Sequence, residues 1–141
     1  MFSKSCKYGI RAVLYLAVHS TNEKRLGVTE IASELDVPKH FLAKILQQLA
    51  KENLISSTKG PTGGFFLNAK NRKSKLKEVV EILDGPELFT HCILGLKECS
   101  SEKPCPLHFQ AFGMREVLNY ELKFQTIEEV AAKIDRMNLS I

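Results

Sequence analysis

Two short amphipathic helices joined by a tight turn constrain the fold of this chain more than any other feature. The segment Val28–Leu35 is predicted to be helical, with Thr29 as its N-cap. Asp36-Val37-Pro38 should form the turn, because Pro38 disfavours helical backbone at the residue before it. A second helix is predicted over residues 38–52, where the apolar side chains form one stripe: Phe41, Leu42, Ile45, Leu46 and Leu49.

The opposite face of this second helix is polar and basic. A helical pair whose second member has such a face is typical of a helix-turn-helix, in which the second helix enters the major groove of DNA. We expect Lys44 to contact phosphate and Gln48 to contact a base edge. The alternative is a packed helical pair with a solvated face. The polar positions are Lys39, His40, Lys44, Gln47, Gln48 and Lys51.

A glycine-rich segment between two short β-type runs predicts a hairpin. The runs are Leu54–Thr58 and Phe65–Leu67, and between them lie Lys59, Thr62 and the pair Gly63-Gly64. Glycine permits positive φ and close backbone approach, so such a tip can enter a minor groove. Glycines of this kind can also cradle a nucleotide phosphate. However, the Gly-Lys-Ser/Thr ending and the following helix of that motif are missing here.

Four further helices complete a mainly α fold with one small β-hairpin. The first is predicted over Ser5–Val18, with Ser3 or Ser5 as its N-cap, and the second, Lys75–Asp84, is ended by the Gly-Pro pair that follows. Residues 107–124 give a helix more apolar surface than one small face can bury. This predicts burial between two chains, or inside the core as the alternative. A last helix, Ile127–Met137, is expected to pack on the same layer.

The charges are distributed unevenly along the chain. Of the 141 residues, 44% are hydrophobic and 26% charged, which suits one compact unit. Residues 1–80 hold fourteen Lys and Arg against six Asp and Glu, a net +8, whereas residues 81–141 have a net −4. A basic N-terminal half suits a polyanion, although a solvated basic surface is the alternative. No signal-peptide pattern or membrane-spanning apolar run is seen, so we expect a cytoplasmic protein without a membrane partner.

Three cysteines on one polar loop form a candidate metal site. Cys92, Cys99 and Cys105 follow the spacing C-x6-C-x5-C, and His108 comes three positions after the last of them. Thiolates and an imidazole on a loop rich in Gly, Ser and Pro can converge on a soft metal centre. Three unrelated buried cysteines would not lie on a polar loop, so the spacing favours a metal or cluster site. For His108 the other interpretation is a surface imidazole that caps a helix.

In this order, the segments resemble the Rrf2 family of bacterial winged-helix transcription regulators. The resemblance is carried by Ser5–Ala17, by Phe41–Leu49, by the hairpin Lys59–Phe65 and by the cysteine loop, and it covers nearly the whole chain. It implies a homodimer on a pseudo-palindromic double-stranded DNA operator, with the recognition helix in the major groove and the hairpin, or wing, in the minor groove. The expected DNA contacts also include Ser5, Tyr8 and Thr29.

The resemblance is strongest to the iron–sulfur branch of the family, with its IscR-like and NsrR-like members. It implies His108 as the fourth ligand, in a Cys3His set that favours a 2Fe-2S over a 4Fe-4S cluster. The interval from Cys92 to Cys99 is one residue longer than usual in the family, so the loop path must differ slightly. NsrR-like members take an acidic ligand from the other subunit, but Lys7 stands there and an ammonium cannot bind iron. Cys6 is a less favoured substitute, since a buried helix cysteine is the simpler interpretation.

The sequence thus predicts three regions: a winged helix-turn-helix over residues 1–84, a cysteine sensor loop over 85–108, and a dimerisation helix with a C-terminal helix over 109–141. The predicted function is that of a transcription regulator, a repressor and not an enzyme. Its operator affinity would depend on an iron–sulfur cluster or on the redox state of the loop, with nitric oxide or oxidants as signals. One alternative is the same regulator with a zinc-bound or metal-free thiol switch. The other is an electron-transfer iron–sulfur protein, which would have no use for the helix-turn-helix and wing.

Overall fold

The computed structural model describes all 141 residues of the chain. The fold is mainly helical with one antiparallel hairpin, as the sequence predicts. The elements in chain order are α1 (Lys4–His19), α2 (Val28–Leu35), α3 (Lys39–Lys51), β1 (Ser56–Thr58), β2 (Gly64–Phe66), α4 (Ala69–Lys73), α5 (Leu76–Asp84), a 3₁₀ helix (Pro86–Phe89), α6 (His108–Phe124) and α7 (Ile127–Met137).

Helix α1 lies at the centre of the molecule and packs against α3, α5 and α7. Its apolar side chains, including Val13 and Leu16, have no exposed surface and belong to the main hydrophobic core. Gly9 leaves room for the Leu83 side chain of α5 against the α1 backbone, because a Cβ atom there would clash with Cδ1 of Leu83. The Ser3 hydroxyl caps the helix by accepting a hydrogen bond of 3.0 Å from the Cys6 N–H, so the expected cap at Ser3 is confirmed.

Helices α2 and α3 form the predicted helix-turn-helix. The turn depends on Asp36, which ends α2 in the left-handed conformation with φ 52°. Arg11 of α1 donates a hydrogen bond of 2.7 Å to the Leu35 carbonyl and so ties the end of α2 to the core. The expectation that Thr29 caps α2 is wrong, because the helix starts earlier, at Val28, with Gly27 at the N-cap position. Thr29 therefore lies within the first turn.

The hairpin has a third backbone segment that the sequence did not reveal. β1 and β2 pair with Ser57 opposite Phe65, and Leu26, the residue before Gly27, exchanges two backbone hydrogen bonds of 2.9 and 2.8 Å with Phe65. Gly64 is required at this crossing, because a Cβ atom would lie 2.7 Å from the Leu26 carbonyl oxygen. The wing is thus anchored to the segment that leads into α2.

A small side-chain network joins the end of α3 to the hairpin. Asn71 of α4, which is buried, donates a hydrogen bond of 3.0 Å to the Asn53 carbonyl and accepts one of 2.7 Å from the Ser56 hydroxyl. Asn68 caps α4 reciprocally with Asn71. The sequence did not predict α4, since a five-residue helix of polar residues has no apolar period.

The two C-terminal helices differ in where they pack. α7 buries Ile127, Ala131 and Ile134 in the main core against α1, so the expectation that it shares a layer with α6 is wrong. α6 instead lies beside α5 and the 3₁₀ helix, where Leu118 and Leu122 contact a second cluster built on Cys6, Val80 and Phe89. No helix of the structure is both long and apolar enough to span a bilayer.

Candidate nucleic-acid interface and cysteine loop

The outer face of α3 is exposed and polar. Leu42, Ile45, Leu46 and Leu49 are buried on the inner face, and this burial turns the opposite side chains outward. His40, Lys44, Gln47 and Lys51 follow one another at helical spacing and are all exposed, as is Lys39 at the first turn. Together they form a continuous polar stripe one helix long, with three ammonium groups that can neutralise phosphates.

Gln48 lies at the edge of this stripe rather than in it. It is exposed, but its side-chain amide donates a hydrogen bond of 3.0 Å to the Ile82 carbonyl of α5. A base contact through the same NH₂ group would have to replace or share that bond. Gln47 forms no hydrogen bond within the chain and is therefore the better-placed amide for contact with a base.

The wing presents a short exposed tip. Lys59, Pro61 and Thr62 are exposed there, and Gly60, with φ 99°, starts the turn. Of the two adjacent glycines expected to allow positive φ or close backbone approach, Gly63 does not have a positive φ. Its requirement is steric, because a Cβ atom would lie 2.3 Å from the Thr58 carbonyl oxygen across the hairpin. The positive φ belongs to Gly60 and Gly64, which has φ 150°.

The remaining candidate DNA contacts lie at the starts of helices. Ser5 is half-buried in the first turn of α1, and Thr29 is exposed in α2. Tyr8 is half-buried, with its ring edge-on to Phe41 of α3 at a centroid distance of 5.8 Å. The ring of Tyr8 thus positions the N-terminal turn of α3, and its hydroxyl forms no hydrogen bond within the chain.

The cysteine loop, residues 90–107, starts from a fixed point. Gly85 ends α5 with φ 88°, and the following 3₁₀ helix buries Phe89 beside Cys6. The loop then rejoins regular structure at His108, the first residue of α6. Both ends of the loop therefore lie against helices of the second hydrophobic cluster.

His108 is a buried side chain, not the surface imidazole considered as the alternative. Only 4% of it is exposed, and its ring packs edge-on to Phe109 at 5.1 Å between centroids. Its Nδ1 atom lies 3.4 Å from Cys99 Sγ, and its Nε2 atom lies 3.2 Å from the Ser101 hydroxyl. The fold thus places two of the predicted ligands, Cys99 and His108, in direct contact.

Cys92 is buried at the start of the loop. Hydrogen bonds from the backbone of Leu96 and Leu94 lower the pKa of its thiol, and the Cys105 thiol and the charge of Arg115 act in the same direction. Burial opposes these effects. Cys105 is half-buried and close enough to Cys92 to interact with it, so the loop thiols are associated in two sets, Cys92 with Cys105 and Cys99 with His108.

The two sets of side chains do not form a preorganised metal site. No three His, Cys, Asp or Glu side chains of the chain are gathered closely enough to hold one metal ion. A 2Fe-2S cluster requires two ligands at each of two irons, and three thiolates with one imidazole are a suitable donor set. The residues therefore fit such a group chemically, although their positions do not enclose it.

Arg115 is the residue of this region that the sequence analysis missed. It lies on the inner face of α6, only 5% exposed, and donates hydrogen bonds to the His91 carbonyl and, over 3.2 Å, to Cys99 Sγ. An arginine on a helix usually indicates an exposed side chain. Its spacing from Ala111, Leu118 and Leu122, all on the inner face, is the one signal that could have placed it there.

Cys6 is inside the protein and far less acidic than an ordinary thiol. It has no exposed surface, and burial, together with the negative charge and hydrogen bond of Asp84, raises its pKa to about 12. Because a metal ligand must be the thiolate, this environment disfavours Cys6 as a ligand. It supports the simpler interpretation of a core cysteine.

The outer face of α6 is apolar and uncovered in the single chain. Phe109 and Val117, 68% and 67% exposed, are its most accessible members. Six exposed apolar side chains on one helix are unusual on a monomer and typical of an interface. The exposed side chains on this face are Phe109, Phe112, Met114, Val117, Tyr120 and Phe124.

A comparison with protein families identifies the family of this chain. Residues 2–133 match the model of the Rrf2 family, described as an iron-dependent transcriptional regulator. The chain belongs to the Rrf2 family. This membership confirms the resemblance inferred from the sequence and the winged-helix architecture, and makes the chain a transcriptional regulator.

Individual relatives agree with the family. A protein of Aquifex aeolicus, provisionally named an HTH-type transcriptional regulator, is 29% identical and covers 92% of this chain and 90% of its own length. The HTH-type transcriptional regulator IscR of Xenorhabdus nematophila is 28% identical over 88% of this chain and 74% of its own. Among solved structures, CymR, the global cysteine regulator of B. subtilis, superposes with a TM-score of 0.73. It covers 94% of this chain and 96% of that one at 21% identity, which shows the shared fold alone.

Proposed function

We propose that this Rrf2 protein is a dimeric repressor that binds a pseudo-palindromic operator through α3 and the wing, and that its cysteine loop is the sensor. The exposed polar stripe of α3, directly opposite the buried one, carries the DNA-binding part of the proposal. In this arrangement Lys39 and Lys44 contact phosphates and Gln47 contacts a base edge. The wing tip, with Lys59 and Thr62, would enter the adjacent minor groove.

A binding experiment on selected operator duplexes tests the DNA contacts. Lys44→Ala should weaken binding to every sequence and reduce the salt slope by about 1, because one phosphate contact is lost. Gln47→Ala should relax discrimination at one position by roughly 1–3 kcal/mol. Arg136→Ala removes an exposed cation of α7, away from α3, the wing and the loop, and is the control that should bind as the unsubstituted protein does. If both α3 variants bound DNA as the unsubstituted protein does, the assignment of these DNA contacts to α3 would be wrong.

The uncovered face of α6 supports dimerisation through this helix. A homodimer is the assembly that presents two recognition helices to the two halves of a palindrome. The apolar side chains of that face would be buried in the pairing, and the free energy gained rises with the apolar area removed from water. We infer that the two copies contact each other along α6.

For the sensor we infer an iron–sulfur cluster held by Cys92, Cys99, Cys105 and His108. Bound there, the group would supply a one-electron, oxidant-sensitive and nitric oxide-sensitive centre. The protein's contribution would be to orient the donors: Ser101 contacts one ring nitrogen of His108, and the other nitrogen faces Cys99. Support comes from the donor set and from the kinship with IscR. Cys6 is not needed in this arrangement.

Anaerobic purification followed by iron and sulfide analysis and visible spectroscopy tests the sensor. Cys92→Ala, Cys99→Ala and Cys105→Ala should each abolish the cluster, and His108→Cys should keep one with a shifted spectrum. If only Cys6→Ala removed the cluster, the loop assignment would be wrong. If all of these variants kept their iron, the loop would not be the site of the cluster.

A metal-free thiol switch is the second candidate, and the environment of Cys92 favours it. A lowered thiol pKa makes a cysteine more reactive towards oxidants, and Cys105 lies beside it as a partner. In that case the purified protein would contain no iron, and peroxide would join two loop thiols as a disulfide while peroxide is reduced to water. Mass analysis before and after thiol blocking distinguishes the two candidates. A zinc-bound loop would instead show zinc in the same elemental analysis.

A further inference from the structure

The most unusual charge in the molecule is the guanidinium of Arg115. It is 95% buried, and its Nε atom has no hydrogen-bond partner. The one ion pair of the structure joins Lys77 and Glu81, so no carboxylate balances Arg115. A buried cation without a counter-ion is costly, so the groups that accept its hydrogen bonds are important for its stabilisation.

The two hydrogen bonds of Arg115 identify the partner as the cysteine loop. One terminal nitrogen donates to the His91 carbonyl at the start of the loop, and the other donates to Cys99 Sγ at 3.2 Å in its middle. The planar fork of an arginine can bind two acceptors at once, whereas a lysine ammonium is a single point charge. The side chain therefore holds two separate parts of the loop against α6.

Arg115 also lies on the helix whose opposite face is the uncovered apolar patch. Phe112 and Met114, close to it in sequence, are both exposed on the outer side. The loop and the patch thus share one rigid support, with Arg115 between them. A change in the loop that moved the guanidinium would act directly on the position of α6.

We propose that Arg115 is the positioning residue that couples the cysteine loop to α6, because it holds the His91 carbonyl and the Cys99 sulfur against that helix. The proposal rests on the proposed function of the loop as a sensor. While both hydrogen bonds are present, the guanidinium holds the loop against α6. When the Cys99 sulfur is displaced or modified, one of the two bonds is lost and the contact between loop and helix weakens.

Hydrogen exchange on the reduced, metal-free protein tests the coupling without any cluster. Arg115→Gln should speed amide exchange over residues 91–107 by roughly 10- to 100-fold, the change expected for the loss of hydrogen bonds from a charged donor. Exchange in α1 and α3 should not change. Arg115→Lys should protect the loop only partly, because its ammonium cannot reproduce the fork. Lys123→Gln, which removes an exposed cation from the same helix, is the control and should leave the loop unchanged.

A second measurement uses the protein reconstituted with iron and sulfide. Arg115→Gln should lower the midpoint potential, since removal of a nearby positive charge favours the oxidised state. Arg115→Lys should keep the potential closer to that of the unsubstituted protein while still losing loop protection. Comparing the potential with the loop protection in Arg115→Lys therefore distinguishes the effect of the positive charge from the effect of the two hydrogen bonds.

The outcomes distinguish this inference from the proposed function. Faster exchange across the whole chain in both variants would show that Arg115 is only a core residue and would overturn the proposal. Unchanged loop exchange in Arg115→Gln would overturn it equally. If the unsubstituted protein took up no cluster and did not respond to oxidant, the sensor function would fail, while the exchange data would still decide whether Arg115 holds the loop.

Discussion

Some residues of this protein are required because their positions have no space for a larger side chain. Gly63 is the clearest case, because the space beside it is occupied by the backbone of the opposite strand rather than by a movable side chain. Hairpin backbone cannot yield as a flexible side chain can. The wing tip therefore depends on a glycine at this position for a steric reason.

We predict that Gly63→Ala will distort the wing and weaken operator binding at least tenfold. The added Cβ would approach the Thr58 carbonyl oxygen to 2.3 Å, so the strands must separate locally. Fluorescence anisotropy with the operator measures the affinity. Gly27→Ala, where φ is −78° and nothing lies within 4 Å of the new atom, is the matched control and should bind nearly as the unsubstituted protein does. Equal affinity for both variants would contradict the assignment.

Cys6 should be the least reactive thiol of the protein. Its raised pKa of about 12 means that almost no thiolate forms at neutral pH, and burial excludes reagents as well. In the reduced, metal-free protein, a thiol-specific alkylating agent at pH 8 should first modify Cys99 and Cys105, which are half-buried. Peptide mass analysis over time should show Cys6 labelled only after denaturant is added. Labelling of Cys6 at the rate of the loop thiols would show that it is accessible and acidic.

At the scale of elements, α3 and α6 are both helices with one buried face, but their exposed faces differ in polarity. Each buries one face and exposes the other, but the exposed face of α3 is polar and that of α6 is apolar. A polar face can remain in water at no cost. An apolar face of this extent favours a partner, and a second copy of the same helix is complementary by symmetry.

Val117→Glu should therefore convert a dimer into a monomer. Val117 is 67% exposed at the middle of the apolar face, and a carboxylate buried there would be unpaired. Sedimentation velocity should show half the mass, and operator affinity should fall because two half-sites are no longer bound together. Ala132→Glu adds the same charge at an exposed position of α7 and should remain dimeric. A dimeric Val117→Glu would exclude α6 as the interface.

At the scale of the whole molecule, the C-terminal helix packs into the same core as the helix-turn-helix. α7 buries Ile127, Ala131 and Ile134 against α1, and its start is joined to the segment before α5 by a hydrogen bond of 2.9 Å from the Ile127 N–H to the Ser74 carbonyl. The chain therefore closes on itself around α1. Stability of the helix-turn-helix should depend on α7, although it lies more than seventy residues away in sequence.

Ile127→Ala should test this closure by destabilising the whole chain by about 2–5 kcal/mol, the usual cost of emptying a fully buried aliphatic site. Urea unfolding followed by far-ultraviolet circular dichroism is suitable, since the chain contains no tryptophan. A single transition shifted to lower urea is expected. Met137→Ala, at a largely exposed position of the same helix, should change stability little. A separate early transition for α7 alone would show that the helix is an independent unit.

The sequence by itself determined the local elements and the family. Apolar spacing fixed α1, α3, α5, α6 and α7 to within a residue or two, because a 3.6-residue period is a property of neighbouring residues. The position of Pro38 gave the turn before α3, and the cysteine spacing marked the loop. The Rrf2 resemblance was carried by the same segments and was confirmed.

Only the tertiary structure decided which surfaces meet. That α7 packs on α1, that Leu26 pairs with Phe65 and that Gln48 bonds to α5 all depend on contacts between distant segments, which no local period records. The same holds for Arg115, whose residue type suggests solvent while its position buries it beside Cys99. The sequence determines the chemical type of each side chain. Its burial, its hydrogen-bond partners and therefore its role depend on the residues that the fold places next to it.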